Sequence, residues 1–227
     1  MHLLTILFYS LFFFFQSFDY VSFEMTQRRN KEGKTTRSDA RVYYSSNGNM
    51  VAHYLSPLEF YMINNKDGEL KLYNPEKNTV FQTMNHLLSS QNNPLFYFLS
   101  GRTDDMGLKQ LGFKLTESKL DDGLLVSYFD KPQGMEENYS TVELVHKGKT
   151  PVFLGYLDDE GEYVKKVFYY DFQSVRNFKI PGSITEIEYF ETDSAIAKTS
   201  FDSFIFDSPG DYEFVNFSVP EDAILIE

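Results

Sequence analysis

Short runs of alternating polar and apolar residues fill most of the chain, and turn residues separate them. Four of these turns are Asn47-Gly48, Asp67-Gly68, Asp122-Gly123 and Glu160-Gly161. Asn-Gly and Asp-Gly readily adopt the positive φ angles of tight hairpin turns. The pattern predicts strands near 18–27, 38–46, 49–55, 58–64, 69–73, 112–119, 124–129, 140–146, 151–157, 163–172, 183–191 and 195–206. Because the connections are short, these strands should pair antiparallel.

The alternation stops between residues 76 and 111, where three stretches favour helix: 78–88, 94–99 and 105–111. Helices placed between two sets of strands can cover an open sheet face. The chain has no low-complexity linker and no fixed repeat. We therefore expect a mainly β (α+β) protein in which residues 18–227 form a single domain.

The first seventeen residues differ from the rest. Residues 3–15 are uncharged, and no Lys or Arg precedes Arg28. A bilayer-spanning helix needs about 20 apolar residues, whereas the core of an export signal needs only about 7–15. We expect residues 1–17 to be a secretory signal peptide, although they lack a basic start and an A-x-A-like cleavage site. An uncleaved short anchor is the alternative, and a buried core helix fits least because the run is apolar on every face.

Charge narrows the range of partners. The chain has 33 acidic and 21 basic residues, a net charge of −12, and no Cys. Nucleic acid is excluded as a partner because phosphate binding needs a basic patch, and anionic membrane surfaces should repel the chain. Without Cys there is no disulfide framework and no thiol chemistry. Seven acidic and no basic residues follow Lys198, which predicts a solvated acidic surface at that end.

Catalytic motifs are absent from the sequence. The four His residues, at 2, 53, 86 and 146, are far apart and none stands at metal-ligand spacing. The Asp pairs at 104–105, 121–122 and 158–159 are better explained by turn chemistry than by acid–base catalysis. His53 lies within a predicted strand and should be a half-buried or surface residue rather than a base. We expect no catalytic residues, no metal, no cofactor and no enzymatic activity.

Apolar side chains suggest a different kind of function. The chain contains 23 Phe, 16 Tyr and 7 Met. A sheet rich in such residues could line a groove for acyl chains, where each buried CH2 contributes about 0.8 kcal/mol. An ordinary β core is the alternative that composition alone favours.

Several segments carry a resemblance to a known family. The stretches SFEMTQ (22–27), ARVYY (40–44), NMVAHYLSP (49–57) and DGELKLYNPEKNTV (67–80) resemble the opening strands of LolA-like periplasmic outer-membrane lipoprotein carriers, within the LolA/LolB-like superfamily. NPLFYFL (93–99) stands where that family has a lid-helix segment. Segments 151–172 and 179–190 resemble its late strands, so the resemblance spans roughly residues 20 to 206.

This resemblance implies an architecture and a mechanism. The family fold is an antiparallel incomplete, half-open β-barrel with a few lid helices on its concave face and an apolar cavity. Its members are periplasmic carriers that take lipoproteins from an inner-membrane ABC-type release complex, shield their acyl chains and pass them to an outer-membrane acceptor. We expect the same function here, performed by a monomer. The alternatives are a carrier of another lipid, a membrane-anchored envelope scaffold without a cavity that faces the periplasm, and an enzyme built from distant carboxylates such as Asp158.

Strand alternation on the matched segments selects the candidate site residues. The predicted cavity lining is Phe23, Met25, Met50, Tyr54, Phe60, Met62 and Leu72, and the predicted lid residues are Phe96 and Phe98. Two departures from the family stand out. The family has an Arg-Pro pair before its third strand, whose Arg helps to hold the lid closed, whereas this chain reads SSNGN at 45–49. The family also has an amphipathic helix before its first strand. Here either the true start lies upstream or the apolar run replaces that helix.

Overall fold

The computed structural model describes residues 18–191 and 193–226. The predicted signal or anchor at 1–17 lies outside these residues. Within the described part of the chain, no helix has both the length and the apolar character needed to cross a membrane.

Strands dominate the structure. Their bounds are β1 (Tyr20–Lys31), β2 (Lys34–Ser45), β3 (Met50–Ser56), β4 (Phe60–Asn64), β5 (Glu69–Asn74), β6 (Thr79–Met84), β7 (Lys114–Asp121), β8 (Leu124–Asp130), β9 (Thr141–Lys147), β10 (Thr150–Leu157), β11 (Tyr163–Tyr170), β12 (Gln173–Val175), β13 (Phe178–Ile180), β14 (Ser183–Tyr189), β15 (Ser194–Phe206) and β16 (Ile224–Ile226). The two α-helices are α1 (Pro94–Leu99) and α2 (Tyr212–Val215). Short 3-10 turns lie at His86–Leu88, Ser90–Asn92 and Pro209–Asp211.

Fourteen of these strands form one sheet in the order β16-β6-β5-β4-β3-β2-β1-β15-β14-β11-β10-β9-β8-β7. Neighbouring strands are antiparallel except β16, which pairs parallel with β6. The sheet curls, and its two edge strands do not pair with each other, so the barrel stays open. This arrangement confirms the predicted mainly β, half-open antiparallel fold. The strands β12 and β13 form a separate small hairpin that the sequence pattern did not predict.

Hairpin turns lie where the Gly-containing dipeptides predicted them. The glycines at 48, 68, 123 and 161 all have positive φ, between 77° and 95°, and each connects two consecutive strands. Gly68 also has no room for a side chain, because a Cβ there would lie 2.2 Å from the backbone oxygen of Asn85.

The strand registers place apolar side chains in rows across the inner, concave face. Phe23 lies opposite Val42, which lies opposite Ala52, which lies opposite Met62. A second row joins Met25, Ala40, Tyr54 and Phe60 in the same way. Because side chains alternate between the two faces of a strand, the residues between these rows point to the outer, convex face.

Helix α1 covers part of the concave face. The Asn93 side chain caps it by accepting a hydrogen bond from the Leu95 amide, and Pro94 occupies its first turn. Both features are typical of helix starts. The helix buries Leu95 and Phe98 in the main apolar cluster, which extends beneath both halves of the sheet.

Two predicted helices were wrong. Residues 78–88 form strand β6 and a 3-10 turn, because Thr79, Val80 and Thr83 are β-branched and the segment pairs along β5. Residues 105–111 form turns rather than a helix, since Met106 and Gly107 both have positive φ. The predicted helix at 94–99 was confirmed as α1.

The sequence pattern also missed two regions. Strands β1 and β2 continue beyond their predicted ends, through 28–37, as a polar hairpin whose residues pair in register up to Lys31 and Lys34. Residues 207–226 were predicted only as a solvated acidic surface. They form an outer strap that crosses the convex face through α2 and ends as strand β16. The solvated interpretation was wrong for Asp211, which is buried between this strap and the sheet.

Candidate functional site

A cavity of about 200 Å³ lies on the concave face. Strands β1–β4 and β14–β15 form its walls, and the start of α1 lies over it. Its lining residues are Phe23, Met25, Gln27, Val42, Met50, Ala52, Tyr54, Met62, Asn93, Pro94, Leu95, Ile184, Glu186, Thr199 and Phe201.

Five of the seven residues predicted to line a cavity lie in this wall: Phe23, Met25, Met50, Tyr54 and Met62. The other two, Phe60 and Leu72, are outside the lining set, although the register places them on the same face of the sheet. The Phe60 ring stacks on that of Tyr54 at 4.3 Å between centroids, so it supports the wall from the side. Leu72 lies opposite Met62, one strand nearer the sheet edge.

The two predicted lid residues, Phe96 and Phe98, lie in different surroundings. Phe98 is 2% exposed and packs against Tyr169, with 5.3 Å between ring centroids, so it anchors α1 in the core. Phe96 is half-buried and meets Tyr44 edge-on at 6.1 Å. The part of α1 that reaches the cavity is instead its first turn, through Pro94 and Leu95. The capping pattern Asn93-Pro94 was the feature of the sequence that could have identified this turn.

The inner part of the cavity is apolar and adaptable. Met25, Met50 and Met62 contribute unbranched thioether side chains, which fill irregular spaces and repack at low cost. Burial raises the pKa of the Tyr54 hydroxyl above its ordinary value. Beside the cavity, burial raises the pKa of Tyr44 to about 12, and its hydroxyl has no hydrogen-bond partner. Such surroundings favour a ligand that carries hydrocarbon rather than charge.

One end of the cavity is polar. Gln27 Nε2 donates a hydrogen bond to Thr199 Oγ1 at 3.3 Å, and Glu186 lies 2.6 Å from the Lys165 ammonium. Gln27 and Glu186 also line a smaller adjoining cavity of about 120 Å³, together with Arg29, Glu188, Ala195 and Ala197. Sequence reasoning missed this polar end because β1 meets β14 only through β15, more than 150 residues along the chain.

Hydrogen bonds hold the segment before α1 to neighbouring parts of the sheet. Ser90 is 1% exposed and donates through Oγ to the carbonyl oxygen of Gly48, within the SSNGN turn. Ser89 Oγ donates to the Lys66 carbonyl oxygen at 2.7 Å, and Asn64 Nδ2 donates to the Leu88 carbonyl oxygen at 3.1 Å. The segment before α1 is therefore tied to two hairpin turns at the rim of the sheet.

The titratable groups singled out from the sequence have structural roles. Asp158 Oδ1 accepts hydrogen bonds from the amides of Glu160 and Glu162, which confirms turn chemistry. His53 stacks on Tyr61 and lies 2.9 Å from Glu59 on the outer face, away from the cavity. Across residues 18–191 and 193–226, no group of three or more His, Asp or Glu side chains has the arrangement of a metal site.

Comparisons with known proteins place the fold. No family model matches the sequence, and no curated protein matches it. A DUF1329 family protein from Desulfovibrio piger superposes with a TM-score of 0.60 at 12% identity, covering 88% of this chain and 90% of that chain. A structure described as an outer membrane lipoprotein-sorting protein domain, from Vibrio parahaemolyticus, gives 0.57 at 11% identity, covering 86% and 89%. A LolA superfamily protein from Nitrosomonas europaea gives 0.57 at 10% identity, covering 86% and 90%.

These neighbours share the overall fold of the chain, because each alignment covers most of both proteins. The chain therefore has a LolA-like fold, as the sequence resemblance implied. At identities of 10–12% the likeness concerns the fold, and function has to be argued from the cavity itself.

Proposed function

We propose that this protein is a periplasmic carrier that shields the acyl chains of lipoproteins in its concave cavity and moves them toward the outer membrane. The observation that carries the proposal is the apolar, methionine-rich cavity between the open sheet and α1. A fold shared with lipoprotein-sorting and LolA superfamily structures supports it.

The energetics of shielding favour a site of this kind. Each CH2 group taken from water contributes about 0.8 kcal/mol, so the wall needs apolar area more than polar precision. A carrier must also release its cargo, which requires the cavity to bind that cargo slightly more weakly than the next site does. Closure of α1 on the empty cavity would compete with the ligand and reduce net affinity.

The size of the cavity indicates that uptake requires movement. Ligand pockets commonly measure about 300–1,000 Å³, whereas this one measures about 200 Å³. Helix α1 is the element whose displacement would enlarge it, because Pro94 and Leu95 form its cover. Phe98 would act as the pivot within the core, and Phe60, Leu72 and Phe96 would join the lining as the lid opens.

The proposed function also requires export to the periplasm and partner proteins in both membranes. Residues 1–17 would direct the protein to the periplasm, and residues 18–227 would act there as one domain. An inner-membrane ABC-type complex would supply the lipoprotein, and an outer-membrane acceptor would receive it. A carrier of another lipid is the second candidate, because a wall of apolar side chains accepts hydrocarbon from either source. An anchored scaffold accounts less well for a lined cavity.

Displacement of Nile red by a palmitoylated peptide and by the same peptide without the acyl group tests the proposal. We expect displacement by the acylated peptide alone. Replacing Met25 in the wall by Gln should weaken that binding about tenfold, since the new amide loses its water when the chain binds. The matched control is Met84→Gln, because Met84 is 63% exposed and lies outside the cavity. Equal displacement by both peptides would refute the carrier function.

A further inference from the structure

The adjoining polar cavity continues the acyl cavity along strand β1. Phe23, Met25, Gln27 and Arg29 occupy every second position and so share one face. The four side chains change from aromatic to thioether to amide to guanidinium over roughly 20 Å of strand, at about 3.3 Å per residue. Gln27 and Glu186 line both cavities, so the two cavities adjoin at these residues.

The two carboxylates that line this polar cavity, Glu186 and Glu188, are paired with the cations Lys165 and Arg29. Lys165 lies 2.6 Å from Glu186 and 3.7 Å from Glu188, and Arg29 lies 3.7 Å from Glu188. Two cations and two carboxylates thus balance each other. These four side chains are between 31% and 51% exposed, so they are hydrated in the empty protein and a bound ligand would displace part of that water.

This balance has a consequence for the polar end of a bound lipid. An anionic end would have to draw Lys165 or Arg29 away from its carboxylate, or stand unpaired beside Glu186, and both cost free energy. An uncharged amide or ester needs only hydrogen bonds. The Gln27 amide and the Thr199 hydroxyl supply both donor and acceptor groups at the boundary between the two cavities.

We propose that this second cavity is a headgroup subsite that accepts acyl chains joined through an uncharged amide or ester and discriminates against free carboxylates. The inference rests on the proposed carrier function, since it presumes that hydrocarbon occupies the adjoining apolar cavity. It assigns a selectivity role to Gln27, Thr199, Glu186 and Lys165 that the apolar lining does not supply.

The test compares two probes that differ only in this group, decanamide and decanoate, as competitors for Nile red at neutral pH. We expect decanamide to compete at about tenfold lower concentration than decanoate, because only decanoate must carry a charge into the subsite. Equal competition, or stronger competition by decanoate, would overturn the subsite while leaving the carrier function intact. Failure of both probes would overturn the carrier function as well.

A pair of variants separates the subsite from overall charge. Glu186→Gln leaves Lys165 without its nearest carboxylate, so decanoate should gain several-fold in affinity while decanamide changes little. Glu160→Gln changes the net charge of the protein by the same amount at an exposed turn, away from both cavities. It should leave the preference for decanamide intact. Equal gains for decanoate in the two variants would overturn the proposal, provided thermal unfolding shows that both are folded.

Discussion

The two faces of strands β1–β5 are built from alternate residues of the same segments, yet they are covered in different ways. On the concave face, Met25, Met50 and Met62 surround a cavity, and one short helix lies over it. On the convex face, the outer strap of residues 207–226 packs ring against ring. Phe214 stacks on Tyr43 at 5.0 Å and Phe217 stacks on Tyr61 at 4.2 Å.

Polar contacts also differ between the coverings of the two faces. Asp211 of the outer strap faces the sheet and is 6% exposed. It accepts a hydrogen bond from Ser22 Oγ at 2.7 Å and lies 3.7 Å from the Arg41 guanidinium. On the concave side, by contrast, Ser89 and Ser90 make hydrogen bonds at the rim of the sheet, and α1 itself is held by apolar packing of Leu95 and Phe98. An open sheet whose outer side is fixed can leave its inner side adaptable. A fixed outer face and an adaptable inner face suit a protein that must keep its shape whether its cavity is empty or filled.

Breaking the outer strap should have the largest effect on stability. Asp211→Ala leaves Ser22 without its hydrogen-bond acceptor and the partly buried Arg41 without its ion-pair partner, which should lower the free energy of unfolding by about 1–3 kcal/mol. Urea denaturation monitored by circular dichroism measures this loss. Glu213→Ala, two residues along at an exposed position, is the control and should change little. Equal losses in the two variants would contradict a structural role for the buried carboxylate.

At alkaline pH, burial of the Tyr44 hydroxyl on the concave side should lower the free energy of unfolding. The pKa of Tyr44 is about 12 in the folded protein and near 10 when it is unfolded, because burial disfavours the phenolate. Below pH 10 the hydroxyl is neutral in both states, and the stability linked to its raised pKa is fully present. As the pH rises through 12 this stability is lost, so that the free energy of unfolding is about 2 kcal/mol lower at pH 12.

Tyr44→Phe removes this ionisation, so the variant should lose less stability than the parent between pH 9 and pH 12. At neutral pH it should be as stable or slightly more stable, since the hydroxyl that it removes has no hydrogen-bond partner. Urea midpoints at a series of pH values measure both effects. Parallel curves for parent and variant would show that Tyr44 is not buried in this way.

Filling the cavity should have the smallest effect on stability. Ala52 is 1% exposed but borders the cavity, so Leu at this position can extend into empty space and should change the free energy of unfolding by less than about 1 kcal/mol. Ala40 is 4% exposed and lies outside the lining, so Ala40→Leu should cost about 1–3 kcal/mol through overpacking. The reverse order would mean that the concave face is packed as tightly as an ordinary core.

Local pattern predicted most of the sheet but not its coverings. Alternation and Gly turns fixed the hairpins and selected Phe23, Met25 and Met50, because a strand register determines which face a residue occupies. The same alternation could not say where along a row the cavity ends, so it also selected Phe60 and Leu72. That limit depends on how the sheet curls and where α1 rests.

Long-range packing explains the other failures. Helix α2 has only four residues and carries no periodic pattern, and it forms where Tyr43 and Val51 provide an apolar surface. In the sequence, nothing distinguishes Asp211 from the other acidic residues near it. Its role depends on Ser22, which is 189 positions away and which it meets only in the folded chain. The polar end of the cavity likewise exists only because β15 brings β1 and β14 together.

Native mass spectrometry of the protein purified from the envelope fraction of its own host tests the central claim most directly. We expect a mature mass beginning near Phe18 together with adducts whose fragments are acyl species. The Ala52→Leu variant, purified in the same way, should carry fewer of them. A parent protein that retains Met1, depends on detergent and has no acyl adduct would contradict the carrier and favour the anchored scaffold.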